Sequence, residues 1–567
     1  MSDFGTVFVY RYIVTRSLTK KKTKNMTIAY EKNITLTENG AASFKTSGKA
    51  IIDQFAHAGT AMGRPIETVF SEQEELWRED PESAIRFPFY LRLVTRKVKV
   101  SENEKTEAVQ KGAGLRDEAF KRILWVAYNR PEVFRRNAWL LPVVGSWKDL
   151  WTLMLLDMEN GNKLDKSFIF SIMAAGLDDA TQCDLIRKYM PAIKSTEKCK
   201  TERAKTLNVL AKAFASFLGL SAKEYRKMKA SGSAHDFQKL ICSRSYADID
   251  WKTIPGRALT HLISGKFLDN HGLTQDYLKW VMSQPTVKFT GYVYELGMKL
   301  DAMGRNLSMS QAPSKAAALY TINKQFDGLI ELAKKDQGGL KGNVLCALDT
   351  SSSMGCSVDG VPGLTSYDVC VSLGIYFSEL NEGYFHNVVA MFDDTSHVMK
   401  LSGTFAEKWD AIRKASVAWG STNFLSLVKL LVAERKAHPS IPESEFPQTL
   451  LVVSDMQFNP TGRWSVRAER ETTNQEEARR ILREAFSDDF VDNFNFIWWY
   501  CASREGAGHD VPATMDQGGN YMFSGFDGSI VTLLLGGEEQ TKPDGKPLTM
   551  EEMVDKALSQ EIFAFVK

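Results

Sequence analysis

The sequence predicts a multidomain α plus α/β protein: an α-solenoid of HEAT-like helix pairs, followed by a doubly wound parallel sheet of the Rossmann-like kind. Three observations predict it. Amphipathic helical patterns follow one another from about Ala50 to Lys335. After the glycine-rich joint Gln337-Gly-Gly-Leu-Lys-Gly342, short apolar strands alternate with helices. The two halves also differ in charge: residues 1–340 hold 52 Lys and Arg against 37 Asp and Glu, and the remainder holds 19 against 32. The net charge of +2 conceals this asymmetry, and 567 residues are too many for one ordinary core.

A basic first half suits a polyanionic partner, because clustered Lys and Arg displace counterions from phosphates. The alternative is that the two halves attract each other. No apolar run reaches the roughly 18 residues needed to cross a bilayer. Phe4–Tyr10 is followed by Arg11 and Arg16 without a small-residue cleavage pattern, so no secretory signal is expected and a cytoplasmic location is. The seven cysteines are scattered and form no Cys-x-x-Cys pair, which argues against a zinc site or a disulfide framework. They are expected to be small core residues for the most part.

Residues 1–45 are read as a basic and polar tail or loosely held arm. Its run Lys20–Lys24 either touches nucleic acid or is simply solvated, and Met26 is an alternative start.

The helical domain is placed at 46–336. Ser71-Glu-Gln-Glu-Glu-Leu-Trp77 reads as a capping box, with Glu74 reaching back to Ser71. Glu118–Tyr128 carries Phe120, Ile123, Leu124 and Ala127 on one face, and Pro131 ends that helix. Helices are expected at about 148–158, 166–175, 183–190, 201–217, 222–230, 234–241, 256–261, 273–282, 291–303 and 315–334. Pairs of this length with short turns bury their apolar stripes only against neighbours, and no strict period appears.

Basic residues cluster near the expected helix ends: Arg96, Lys97 and Lys99; Arg116, Lys121 and Arg122; Arg135 and Arg136; Lys188; Arg226, Lys227 and Lys229; and Arg257. On one rim or concave face they would contact phosphates. Trp125, Tyr128, Trp147 and Tyr225 could stack on unpaired bases, although their places on apolar faces make them core.

The sheet domain is placed at 337–567. Val344–Leu348 has the length of a buried central strand and ends in Asp349-Thr-Ser-Ser-Ser353. Asp349, Ser351 and Ser353 alternate, so a loop can turn a carboxylate and two hydroxyls to one side. Such donors suit a hard cation, Mg2+ foremost. Helices are expected at 367–380, 406–415, 423–437 and 475–486 and after Thr549, with strands at 387–392, 397–401, from Leu450, and 495–500. Leu450–Met456 contains a further acid, Asp455, at a strand end, and Trp419–Phe424 places Thr422 in a turn. Strand ends on one sheet edge meet where ligands bind.

The Asp-x-Ser-x-Ser pattern resembles the metal-ion-dependent adhesion site of von Willebrand factor A domains. That resemblance implies that Thr422 and Asp455 complete the site. Lys111–Arg116, Gly145–Leu150, Lys188–Pro191, Glu224–Lys227 and Ile249–Arg257, in that order, resemble the helical-repeat module of TROVE-type proteins, the Ro autoantigen relatives. With Ser454-Asp-Met456 and Ser524-Gly-Phe526, the chain is most similar to an uncharacterised family joining that module to a von Willebrand A domain.

The resemblance implies a ring or horseshoe that holds small noncoding or misfolded RNA, or single-stranded RNA ends, on its basic surface. The alternative is a protein-interaction scaffold whose cation captures an acidic residue of a partner, without RNA. A monomer without membrane contact and without enzymatic activity is expected. None of His57, His235, His261, His271, His386, His397, His438 or His509 sits in a catalytic signature, and no P-loop occurs. Metal-assisted RNA hydrolysis at Asp349 and Asp455 is the enzymatic alternative.

Overall fold

The computed structural model describes residues 33–60, 63–98, 108–232, 236–264, 266–304, 313–337, 340, 343–358, 361–416, 420–465, 470–501, 519–526, 548–564 and 566. Residues 1–32 of the expected tail, Lys99, His235, His509, Trp419, most of the glycine-rich joint and the stretch after Phe526 lie outside the described residues.

The protein is rich in helices and carries a six-stranded mixed sheet in its C-terminal half. That sheet consists of β5 (Val344–Asp349), β6 (Val388–Phe392), β7 (Ser396–Lys400), β8 (Thr449–Ser454), β11 (Asn495–Tyr500) and β12 (Asn520–Ser524). Its order is β12-β11-β8-β5-β6-β7. Every neighbouring pair is parallel except β6 and β7. In the centre, Ala347 lies opposite Ala390 on one side and Val452 on the other. Every residue of β5, β6 and β8 is buried, as expected for a parallel sheet covered on both faces.

The helix Ser366–Leu380 explains part of that cover. It packs on β5, β6 and β8, and also meets the helices Val293–Ala302, Pro313–Gln337 and Phe405–Ala415. Buried on nearly all sides, it is apolar all round rather than striped. Gly374 allows the closest approach, since a β-carbon there would lie 2.4 Å from a Leu348 methyl. Thr365 and Asp368 close its start with a capping box, and Thr404/Glu407, Thr473/Glu476 and Thr549/Glu552 do the same for three later helices.

One continuous apolar cluster runs from Ala41 to Phe563 through both halves of the chain, and a smaller one gathers around Trp251 and Tyr277. The helical half therefore does not keep its core to itself. The helix Ala50–His57 packs on β12 and on the helix Met550–Leu558, joining the start of the helical half to the end of the sheet half.

The structure corrects the sequence reading in three places. Residues 50–335 are not helical throughout: β3 (Val94–Val98) and β4 (Ala108–Ala113) form an antiparallel hairpin. Val94, Thr95 and Val98 are β-branched, a strand preference that the helical reading overrode. The β4 edge is closed by Gln560, which accepts from Lys111 N at 2.7 Å and donates to Lys111 O at 2.8 Å.

Ser71 does not start a helix. It lies inside the helix Ile66–Glu79, whose apolar face begins earlier, and the capping residue nearby is Asp80, which opens Pro81–Arg92.

Residues 33–45 are not the loosely held arm expected of them. Ile34–Leu36 (β1) and Ala42–Phe44 (β2) form a hairpin whose turn docks on the sheet half, hundreds of residues away. The short strands Trp464–Ser465 (β9) and Arg470–Glu471 (β10) pair separately.

Candidate functional site

Asp349, the last residue of β5, is fully buried at the carboxyl edge of the sheet. Its Oδ1 accepts from Ser351 N at 2.9 Å, and its Oδ2 accepts from the Ser454 hydroxyl at the end of β8. Ser351 and Ser353 bring their hydroxyls within 3.1 Å of each other. The next loop is stitched on through Ser352 N, which donates to Gly420 O at 3.1 Å. Thr422, two residues on, accepts at its carbonyl from Asn459 N at 2.9 Å, so the loops after β5 and β8 both hold the Thr422 loop in place.

Asp455 follows Ser454 directly and is 3 % exposed. Its Oδ1 accepts from Gln457 N at 3.2 Å. Between them Met456 adopts φ +61°, a left-handed conformation costly for a side chain of that size and of the sort that gathers at functional sites. Ser454 Oγ accepts from Met456 N at 2.9 Å and holds this kink.

Burial pushes the Asp349 carboxyl well above the usual carboxylate range, and the neighbouring Asp455 charge pushes it further. The other groups acting most on it are the Ser351 and Ser454 hydrogen bonds, and none of these influences is cationic. Beneath the site, the Cys370 thiol contacts Val453 O at 3.3 Å, and burial followed by Asp349 raises its proton affinity, so it stays neutral.

This donor set fits a hard divalent cation: two buried carboxylates, with hydroxyls of Ser351, Ser353 and Thr422 on the loops around them. Among the described residues no group of three or more His, Cys, Asp or Glu is placed to hold a metal ion, so a cation here depends on hydroxyl oxygens beside the two acids.

Two further residues belong to this edge: Ser454, which the sequence reading quotes in Ser454-Asp-Met456 without a role at the site, and Asn39. Ser454 bridges the two strands and was visible in Val453-Ser-Asp455. Asn39, in the turn between β1 and β2, had no local signal. Its Nδ2 donates to Gln457 O and lies 3.5 Å from Thr422 Oγ1. Thr37 Oγ1 donates to Phe458 O at 2.8 Å, and Glu38 N to Gln457 Oε1 at 2.6 Å. The turn is therefore seated over the loop that carries Asp455.

The basic residues divide sharply. Arg122 is 0 % exposed and is no surface contact. It donates to Glu118 Oε1 and Glu72 Oε2, both at 2.8 Å, and to Gln54 at 2.6 Å. Its position between Phe120 and Ile123 turns it inward, where Glu118 of its own helix and Glu72 of a neighbouring one neutralise it. Lys121 is buried too, bound to Asp117 and to Arg64 O. Arg257 is forked onto Glu295, and Arg135 pairs with Asp165 at 3.0 Å. Arg116 stands 3.1 Å from Asp149 while remaining partly exposed. Arg96 and Lys97 lie in β3 instead of at helix ends.

Arg136, Arg226 and Lys227 are exposed. Lys229 donates to Lys188 O at 3.3 Å, which draws the helices Cys183–Tyr189 and Ala222–Ala230, and their cations, together. Of the aromatic residues, Trp125 and Tyr225 are core, whereas Tyr128 and Trp147 are half-buried.

Residues 343–562 match a family model described as a domain of unknown function, DUF7788. The chain is similar to the uncharacterized protein L728 of Acanthamoeba polyphaga mimivirus, with 23 % identity over 546 residues covering 89 % of this chain and 85 % of the viral protein.

Proposed function

We propose that the protein is a binding scaffold of von Willebrand A type whose sheet half holds a divalent cation, Mg2+ by the hardness of its donors. Asp349, Ser351, Ser353, Thr422 and Asp455 are its ligands, directly or through water. The observation that carries this reading is the buried pair of carboxylates at adjacent strand ends, like charges that a cation relieves. The remaining coordination position takes an acidic group from a protein partner. Asn39 lies against Thr422 in this conformation, so a partner entering there displaces the turn of the β1–β2 hairpin.

The test is Mn2+ binding by electron paramagnetic resonance, together with thermal unfolding in Mg2+ and in chelator. At a Mg2+ concentration of about 100 times Kd the native state gains roughly 2.7 kcal/mol, and Asp349→Ala removes both signals. Equal unfolding temperatures in Mg2+ and chelator, with no Mn2+ bound, would sink the proposal. A pull-down with and without chelator, compared with Asp349→Ala, then tests partner capture.

A second reading, RNA held on a TROVE-like helical solenoid, is favoured by the exposed Arg136, Arg226 and Lys227 and by the cations gathered around Lys188. It requires an RNA affinity that falls steeply with salt and weakens in Arg226→Gln/Lys227→Gln. An affinity indifferent to salt removes it.

A further inference from the structure

A different cluster of charge lies at the head of the helix Arg116–Asn129. A cleft of about 320 Å3 opens there, and its walls include Arg116, Glu118, Phe120, Thr152, Arg203 and Tyr292. The helix has 14 residues, and Leu115 at its N-cap makes no side-chain cap, so its first-turn N–H groups are left for another acceptor.

The charges around the cleft do not balance. Asp149, fully buried, accepts from Arg92 Nε at 2.8 Å and stands 3.1 Å from Arg116 Nη2, so one carboxylate serves two guanidinium groups. Lys148 precedes it in the chain, and Arg203 arrives from the helix Glu202–Phe217. Neither forms an ion pair among the described residues. The acids on the cleft wall are already engaged, Asp117 by Lys121 and Glu118 by Arg64 and Arg122.

Four cations, Arg92, Arg116, Lys148 and Arg203, therefore gather around one acid, Asp149, which Arg92 and Arg116 already share. Burial lowers the proton affinity of Arg116, and Arg92 and Arg203 lower it against the pull of Asp149. Lys148 is lowered by burial and then by Arg116 and Arg203.

A second observation points to a ligand. Glu118 is 2 % exposed, and its Oε2 is buried without a hydrogen-bond partner, while Oε1 takes the bonds from Arg64 and Arg122. A buried acceptor left open on a cleft wall costs about 1–3 kcal/mol unless something donates to it.

We propose that this cleft binds a nucleotide through its terminal phosphate, with Arg116, Lys148 and Arg203 as the phosphate's donors. A hydroxyl or amino group of the nucleotide reaches Glu118 Oε2, and Tyr292 offers its ring to the organic portion. The phosphate can belong to a free nucleotide or to the 5′ end of a strand. The proposal is independent of the cation site.

Calorimetric titration of the full chain tests it, with AMP, adenosine, inorganic phosphate, and tetra-adenylate bearing a 5′-phosphate or a 5′-hydroxyl. AMP is expected to bind at least tenfold more tightly than adenosine. Arg203→Gln and Lys148→Gln, surface changes that break no ion pair, each weaken AMP about tenfold without lowering the unfolding temperature. If the strand end is the source, phosphorylated tetra-adenylate binds as AMP does and the hydroxyl form does not. If the free nucleotide is the source, AMP alone binds.

Equal affinities for AMP and adenosine, no binding of any phosphorylated probe, or full affinity in both variants overturns the proposal. Arg226→Gln/Lys227→Gln leaves AMP binding unchanged, which separates a failure here from a failure of the RNA surface. Tetra-adenylate binding that responds only to Arg226 and Lys227 also overturns it.

Discussion

Replacing Arg122 by methionine tests whether this arginine is a structural ion or a nucleic-acid contact. The guanidinium is 0 % exposed and serves Glu72, Glu118, Gln54 and Gln73 while lying 5.1 Å from the Phe87 ring centroid. Removing one partner of a buried ion pair typically costs about 3–5 kcal/mol, because the other charge stays behind. Here Arg64 remains, 2.6 Å from Glu72 and 3.1 Å from Glu118, and neutralises part of what is left. The expected loss is therefore at the lower end, about 3 kcal/mol.

Native-state hydrogen exchange over the helix Arg116–Asn129 reads this directly, as opening roughly a hundredfold more frequent. The double variant Arg122→Met/Glu118→Met removes both buried charges and recovers most of the loss. A single variant whose exchange changes less than about fivefold, or a double variant no better than the single, refutes the reasoning. If the protein binds RNA, Arg122→Met leaves that affinity unchanged when it is measured well below the unfolding temperature.

Two further substitutions test the packing, the first between the halves and the second inside the sheet half. Gly59→Ala drives a β-carbon to 2.2 Å from the Ser524 carbonyl, where Gly59 N donates to Ser524 Oγ at 2.7 Å; about 2 kcal/mol is lost, and an unchanged unfolding temperature contradicts the contact. Lys408→Met leaves Glu379 without the ammonium that, against the opposing pull of burial, holds its carboxyl below the ordinary glutamate range. A depressed folded-state pKa adds stability above the unfolded value and loses it as pH falls through the folded one. The variant's deficit in unfolding temperature is thus larger near pH 7 than below about pH 4, and an equal deficit at both counts against the pair.

The loop after β5 was legible because Asp349, Ser351 and Ser353 fall within five residues at a buried strand's end, a spacing that depends on nothing remote. The six-stranded sheet was legible for a related reason, since β5, β8 and β11 are short apolar runs with helices between them. Arg122 was not legible. Its charge counts as surface in any sequence tally, and its burial is decided by Gln54, Glu72 and Gln73 on other helices. Ser71 misled for the opposite reason: Ser-x-x-Glu is a cap only where the helix begins, and Val69, Gln73 and Leu76 carry the buried face through it. The β-branched residues of β3 were present in the sequence but lay between strong helices. Asn39 could not be found locally, because Thr422 lies 383 positions away.

The seating of Thr37 on Phe458 joins residues 421 positions apart. At about 5–20 residues per second, a ribosome needs roughly 20–80 s to deliver the second after the first. For that interval the nascent β1–β2 segment has no loop to rest on, and the Ala50–His57 helix waits even longer for β12. Residues 33–57 are thus locked in long after they are made, and a chaperone or a neighbouring nascent chain meets them bare.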